Sequence, residues 1–466
     1  MHQLALMIRQ LFKSFHPRHQ PWITRQSYSH ELIFALTFPV ALALVEGSVA
    51  GILAKKVFHV GPMLFATIMS APMFANLTSF LWARLARCRT KVRFMNMLQL
   101  MLLVSIGGIA LLPTSTWGKI LLTGLMVWSR CLLTGIITIR STIWRMNYPR
   151  PVRAQVTGKL ALINSLNMTV APLVGYALFD HDPNVFRLIY PASLLIALVG
   201  VFSFARVRLR GERELLRYEA DPRARPQPHG APGPIYEYDP KAGRDGFWSV
   251  LRRDLLYRRY MQWQFLGGLA NMMGDVAVVY VIIELTKHHD REYLVSVALS
   301  TALPMLLATL TLPVWARYLD RIHVVRLRVP QSVLWIASQM LNWLGASLGS
   351  LGVLALSRTV VGVSRGGGML AWTLGHNDFA DRRLVVLYMG IHVTLTGVRG
   401  AIGPFLAMAL LTGWSDETFG RFGLGGAGFP GIGHHVFLIT TILAVISMVG
   451  FVVLDRRIRG GEGRSQ

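Results

Sequence analysis

Long apolar stretches recur along the chain, each about as long as a bilayer-crossing helix and each closed by a short polar segment. The hydrocarbon core of a membrane takes about 20 mostly apolar residues per helix. Twelve segments meet that length: 32–53, 62–83, 94–113, 118–140, 156–178, 187–205, 262–285, 294–315, 329–349, 351–373, 386–411 and 435–454. The pattern predicts an all-α membrane protein with twelve transmembrane helices. Pro39, Pro72, Pro172, Pro304 and Pro404 fall inside these segments, where membrane helices tolerate them.

Composition agrees with the pattern. The chain is 53% hydrophobic and 15% charged, against about 25% charged in soluble domains. A net charge of +25 would suggest nucleic acid as the partner of a soluble protein. Here the charge sits in short loops between apolar stretches, so the partner is the lipid bilayer and nucleic acid is excluded. With both termini cytoplasmic, the inner segments hold thirty-five Lys and Arg. The outer loops hold seven: Lys55, Lys56, Lys119, Arg187, Lys287, Arg291 and Arg421. That bias sets the orientation and predicts an even number of spans in a bacterial-type inner (plasma) membrane. Residues 1–30 place Leu4, Ile8, Leu11, Phe12 and Phe15 at helical spacing among basic residues. They read as an amphipathic helix on the inner surface or a frayed basic tail, not as a secretory signal.

The two halves match at a nearly constant offset. Trp82-Ala83-Arg84 answers Trp315-Ala316-Arg317, Ser129-Arg130 answers Ser357-Arg358, and Trp144 answers Trp372. Pro172 answers Pro404, and Glu46 answers Asp275. The expected organisation is a six-helix bundle at 31–205, a cytoplasmic linker at 206–261, a second bundle at 262–458 and a tail at 459–466. The linker is rich in Arg, Pro and Gly and ends in the basic amphipathic stretch GFWSVLRRDLLYRRY.

Local motifs carry a family resemblance. ARYLDRIHVVR, after the eighth span, is similar to the loop signature Gly-x-x-x-Asp-Arg-x-Gly-Arg-Arg of the major facilitator superfamily, with Asp320 and Arg321 at the Asp-Arg positions. Ala316, His323 and Val324 depart from it. After the second span, ARLARCRTKVR keeps only the basic character, with Arg87 at the Asp position. SRTVVGVSRGG resembles the Arg-x-x-x-Gly motif of proton-coupled drug exporters through Arg358 and Gly362, and GVRGAIGP resembles their Gly-Pro motif. The resemblance implies two pseudo-symmetric bundles, a cavity lined by spans one, four, seven and ten, and gating roles for Asp320, Arg321 and Arg87.

A charge held at bilayer depth costs about 2.5–3.5 kcal/mol on the insertion scale, so such residues face a cavity or a partner. Glu46 and Asp275 are the deep acids; Arg130, Arg140, Lys159, Arg358, Arg365 and Arg399 are the deep bases. Glu46, Arg130, Asp275 and Arg358 lie on the four spans that the resemblance assigns to the cavity. They form either a coupling set or purely structural ion pairs. Arg358 and Arg365 share a helix face and could present two cations to an anion. Arg399 is the repeat-mate of Asn167, and Asn164 shares a face with Asn167; both asparagines also suit plain inter-helix hydrogen bonds. Arg140 and Lys159 would snorkel to headgroups.

Other signals carry less. The glycine-rich run 423–428 lacks the strand of a nucleotide-binding turn, and the His288-His289 and His434-His435 pairs lack metal-ligand spacing. Cys88 and Cys131 imply no disulfide. No catalytic constellation stands out, and no cofactor is expected. The expected function is a monomeric secondary transporter moving an anionic or zwitterionic solute by alternating access with protons. The alternatives are drug efflux by proton antiport, or a sensor or assembly factor that reuses the fold.

Overall fold

The computed structural model describes residues 15–220, 247–380, 385–414 and 428–460. The first fourteen residues of the N-terminal segment, the proline-rich part of the linker, most of the glycine-rich run at 423–428 and the extreme tail lie outside the described residues. Seventeen α-helices are named here: α1 (Trp22–Ala43), α2 (Gly47–Lys56), α3 (Pro62–Asn76), α4 (Ser79–Leu85), α5 (Lys91–Gly108), α6 (Thr116–Asn147), α7 (Arg150–Phe179), α8 (Phe186–Phe204), α9 (Glu212–Ala220), α10 (Phe247–Arg253), α11 (Leu255–Leu285), α12 (Glu292–Val297), α13 (Leu303–Leu319), α14 (Val324–Ser347), α15 (Leu351–Leu374), α16 (Val385–Thr412) and α17 (Val436–Arg459).

Among the described residues, nine helical segments are long and apolar enough to cross a membrane, and the α3–α4 pair, bent by 47°, makes a tenth. α14 and α15 are also 24 residues long but carry polar faces, with Arg328, Gln331, Gln339 and Asn342 on one and Arg358 and Arg365 on the other.

The repeat is visible in the packing. In the first half α1 lies on α7 and α8, α6 on α3 and α5, and α5 on α8. In the second half α11 lies on α16 and α17, α15 on α13 and α14, and α14 on α17. Each half thus repeats the same five neighbour relations. The halves meet mainly where α3 packs on α16 and where α7 meets the α12–α13 segment, which are again repeat-related contacts.

Three departures from the expected helices have local causes. The first span begins at Trp22, not at 32, and breaks after Ala43. Gly47, with φ of +33°, turns the chain into α2, so Glu46 sits in a break and not in a helix interior. The stretch expected at the end of the linker splits at Asp254, whose carboxylate accepts the Tyr257 N–H at 2.8 Å and starts α11. Tyr257 and Tyr260 then bury against Phe379 and Tyr388, which draws the basic stretch into the seventh-span helix. Finally, Arg328 belongs to α14, where it is buried, and not to the preceding loop.

Candidate functional site

The break between α1 and α2 leaves carbonyls without helical partners. Side chains from the same half take them up. Tyr190 Oη donates to the Leu44 carbonyl at 3.0 Å, and Arg130 donates to the Val45 carbonyl at 2.8 Å. Arg130 also pairs with Glu46 at 2.7 Å. In the second half, Asp275 receives Arg358 at 3.2 Å on one oxygen and Arg365 at 2.7 Å on the other. Arg358 is fully buried and reaches the Leu299 and Ser300 carbonyls, in a π-helical turn at Ala298–Ala302. Such turns widen a helix and free backbone groups. The four repeat-related charges therefore form one acid–base set in each half.

The repeat extends to individual hydrogen bonds. Asn167 donates to the Ala35 carbonyl at 2.9 Å and to that of Leu36. Its repeat-mate Arg399 donates to the Gln264 carbonyl, the position in α11 that answers Ala35. Asn164, half-buried, has no side-chain bond among the described residues.

Arg140 and Lys159 do not snorkel freely. Lys159 reaches Gln20 at 3.3 Å. Arg140 pairs at 3.3 Å with Glu31, a fully buried acid absent from the sequence reading. Glu31 also accepts Trp144 Nε1 at 2.5 Å and Tyr148 Oη at 2.8 Å. Its place one residue before the apolar run made it look like the end of a loop.

A cavity of about 510 Å³ opens between α3 and the second half. Its walls include Met73 and Asn76 of α3, Gln264 and Asn271 of α11, Arg328 and Trp335 of α14, Arg365 and Trp372 of α15, and Arg399 of α16. Asn271 and Arg399 lie at the middle of their helices, and the others in the parts nearer the end that carries the chain termini. Among the described residues no Asp or Glu lines it. Arg328 is the arginine of this wall that the sequence did not single out. Its signal was a polar stripe along α14, Arg328-Gln331-Trp335-Gln339-Asn342, at three- and four-residue spacing.

The two ends of the molecule differ. At the end away from the termini, one continuous apolar core joins both halves: Ile52 and Phe65 of the first pack with Val276–Ile283 and Val297 of the second. In the first half that core continues to the terminal end, through Phe94, Ile143 and Leu209; there the second-half core around Tyr257, Val324 and Leu454 is separate from it, as is a small cluster around Tyr28, Tyr148 and Leu160. Polar contacts follow the same division. Lys56 pairs with Glu292 at 2.9 Å, Lys55 with Glu284 at 3.4 Å, and Asp180 accepts the Tyr293 and Leu294 N–H groups at 2.7 and 3.2 Å. Among the described residues no ion pair joins the halves at the terminal end.

Asp320 and Arg321 are exposed and without ion pairs among the described residues. Arg87 donates to the Glu219 carbonyl at 3.0 Å, and Glu219 also holds Lys91 at 2.7 Å. α9 therefore clasps the first-half loop. In the second half Asp378 accepts the Val324 N–H at 2.7 Å, and His323 Nδ1 accepts that of Val325 at 3.2 Å.

Burial pushes the His323 imidazole below its free value of 6.5, against the pull of Asp378. The cap needs the neutral ring, so its contribution is complete above pH 6.5 and is lost as the pH falls below that value. An N-cap acceptor contributes about 1 kcal/mol. The His323→Asn protein keeps an acceptor that does not titrate. It should lose less of its melting temperature than the wild type between pH 7.5 and 5.5.

The sequence matches the profile of the Major Facilitator Superfamily over residues 32–330. The chain belongs to this superfamily. No curated protein matches it in sequence. The superfamily fold is shared with the nucleoside transporter NupG at 12% identity, covering 93% of this chain and 99% of that one with a TM-score of 0.64. It is shared with a D-xylose-proton symporter at 12% identity, over 92% and 96% of the chains, with a TM-score of 0.60. A bacterial homologue of the human lysosomal transporter Spinster, inward-facing and unoccupied, matches at 12% identity over 94% and 98%, with a TM-score of 0.60. At these identities the likeness shows the fold alone. The protein is a multi-pass membrane transporter of this superfamily.

Proposed function

We propose that the protein is a secondary active transporter that moves a small anionic or zwitterionic solute by alternating access, coupled to protons. In this reading all twelve helical rods span a bacterial-type inner membrane and both termini are cytoplasmic. The observation that carries it is the asymmetry of the two ends: a shared core and inter-half ion pairs away from the termini, separate cores and a polar cavity beside them. With the termini inside, this is an inward-facing state. Rocking the bundles would separate the shared core and close the inner gap, which requires a solute or ion that binds the two states unequally.

The acid–base sets suit that task. A proton on Glu46 would cancel its pairing with Arg130 and leave the guanidinium on the Val45 carbonyl alone. A proton on Asp275 would release Arg365 toward the cavity. The absence of acids from the cavity wall, against three arginines, favours an anionic cargo over a cationic drug.

The test is proton movement in proteoliposomes that enclose a pH-sensitive dye, with a panel of small organic anions added outside. The wild type is expected to acidify or alkalinise the lumen with at least one member. Glu46→Gln is expected to abolish dependence of solute flux on the pH gradient. Full gradient dependence in that variant would remove Glu46 from coupling, and no flux with any solute would favour the sensor reading.

A further inference from the structure

We propose that Arg328 and Arg399 form a subsite for the oxyanion head, carboxylate or phosphate, of a soluble amphipathic solute whose apolar body lies against Trp335, Trp372 and Met369. The inference rests on the carrier reading and names the chemistry of its cargo. Arg358 and Arg365 already share Asp275. Among the described residues Arg328 and Arg399 pair with no acid. Both are more than nine-tenths buried. Arg328 gives one terminal nitrogen to Gln331 at 2.8 Å, and Arg399 gives one to the Gln264 carbonyl. The Arg328 Nε and second terminal nitrogen, and the Arg399 Nε, meet no partner.

Both arginines line the same cavity, beside Gln264 and Gln331. His392, fully buried with both ring nitrogens unpartnered, stands edge-on to Trp372 at 5.7 Å in the same region. The chain also keeps room for the pair. A Cβ at Gly268 would collide with the Arg399 guanidinium, and one at Gly368 would come within 2.6 Å of Gln331 Nε2.

A buried cation without a partner is expensive to keep. Two of them lining one cavity, with buried donors unspent and no carboxylate among the described residues of its wall, fit an anion that arrives from outside. Guanidinium presents a planar fork that matches carboxylate and phosphate oxygens in pairs. The cavity volume, about 510 Å³, falls in the range of small-molecule sites, roughly 300–1,000 Å³. Met369, Trp335 and Trp372 supply the apolar wall beside this polar floor.

The experiment measures the melting temperature of the purified full-length protein against phenyl phosphate, benzoate, benzyl alcohol and lysophosphatidate. Phenyl phosphate or benzoate is expected to raise it and benzyl alcohol is not. Arg328→Gln with Arg399→Gln should weaken the anion response on the order of 10- to 100-fold in concentration. The unliganded double variant should melt no lower than the wild type, because it sheds two unpaired charges. Gly268→Ala keeps every charge but intrudes on Arg399, and should weaken the response as well. A wild-type response in both variants, an equal response to benzyl alcohol, or a response to the lysolipid alone would each overturn the subsite. Undiminished phenyl phosphate flux in the double variant would overturn it while leaving the carrier standing. An anion-dependent shift in a wild type that passes no solute would overturn the carrier and leave the subsite.

Discussion

The Asp275→Asn protein should be less stable than the wild type by about 3–5 kcal/mol, because the change strands a buried arginine. The Arg358 side chain is 1% exposed and its carboxylate partner is Asp275. Asparagine keeps the shape and one acceptor but removes the countercharge. Arg365 does not share this dependence. Its side chain is 34% exposed, so it can turn to water. Arg365→Ala should therefore cost little stability, since Asp275 keeps Arg358. If the second acid–base set serves transport, Arg365→Ala will stop solute flux in a protein that still melts near the wild-type temperature. If it only holds helices together, Arg365→Ala will transport normally while Asp275→Asn fails to fold. Melting curves in detergent and flux in vesicles separate these outcomes. An Asp275→Asn protein that melts like the wild type would show that water, not the carboxylate, compensates Arg358.

Much of the architecture is legible in the sequence because lipid imposes a length and a polarity on each helix. The offsets between Glu46 and Asp275 and between Arg130 and Arg358 foretell that each half carries its own acid and base, and the structure draws them together within each half. Three features stay hidden, each for a physical reason. The break at Glu46 depends on one glycine taking a left-handed backbone, which no hydropathy window registers. Glu31 and Arg328 lie just before apolar runs, where an acid or base looks like the last residue of a loop. Their burial depends on what covers them: Arg140, Trp144 and Tyr148 over Glu31, and Gln331 with the Arg365–Trp372 part of α15 beside Arg328. The signature motif is legible in the sequence, but the cap beside it is not. Asp320 and Arg321 match the family pattern yet stay exposed, while Asp378, from a different loop, caps α14.

The seal away from the termini, which is the outer one in the proposed orientation, makes the second large prediction. Asp180 belongs to the first half, and its carboxylate accepts two N–H groups from the first turn of α12 in the second half. Lys56, with a side chain only 4% exposed, crosses the same seam to Glu292. These contacts exist only while the outer ends touch, so removing them penalises one conformation and leaves the other unchanged. Losing a capping carboxylate costs about 0.5–2 kcal/mol, and every 1.4 kcal/mol is tenfold in a population ratio. Asp180→Ala combined with Lys56→Ala should thus shift the balance toward the outward-open state by about tenfold or more. Ser296, fully buried in α12 beside the seam, reports this when replaced by cysteine in a background without Cys88 and Cys131. A membrane-impermeant maleimide added outside should label Ser296→Cys slowly in the parent and about ten times faster in the double variant. Equal labelling rates would mean that the shared apolar core alone keeps the outer side shut. The ion pairs would then ride on that closure without contributing to it.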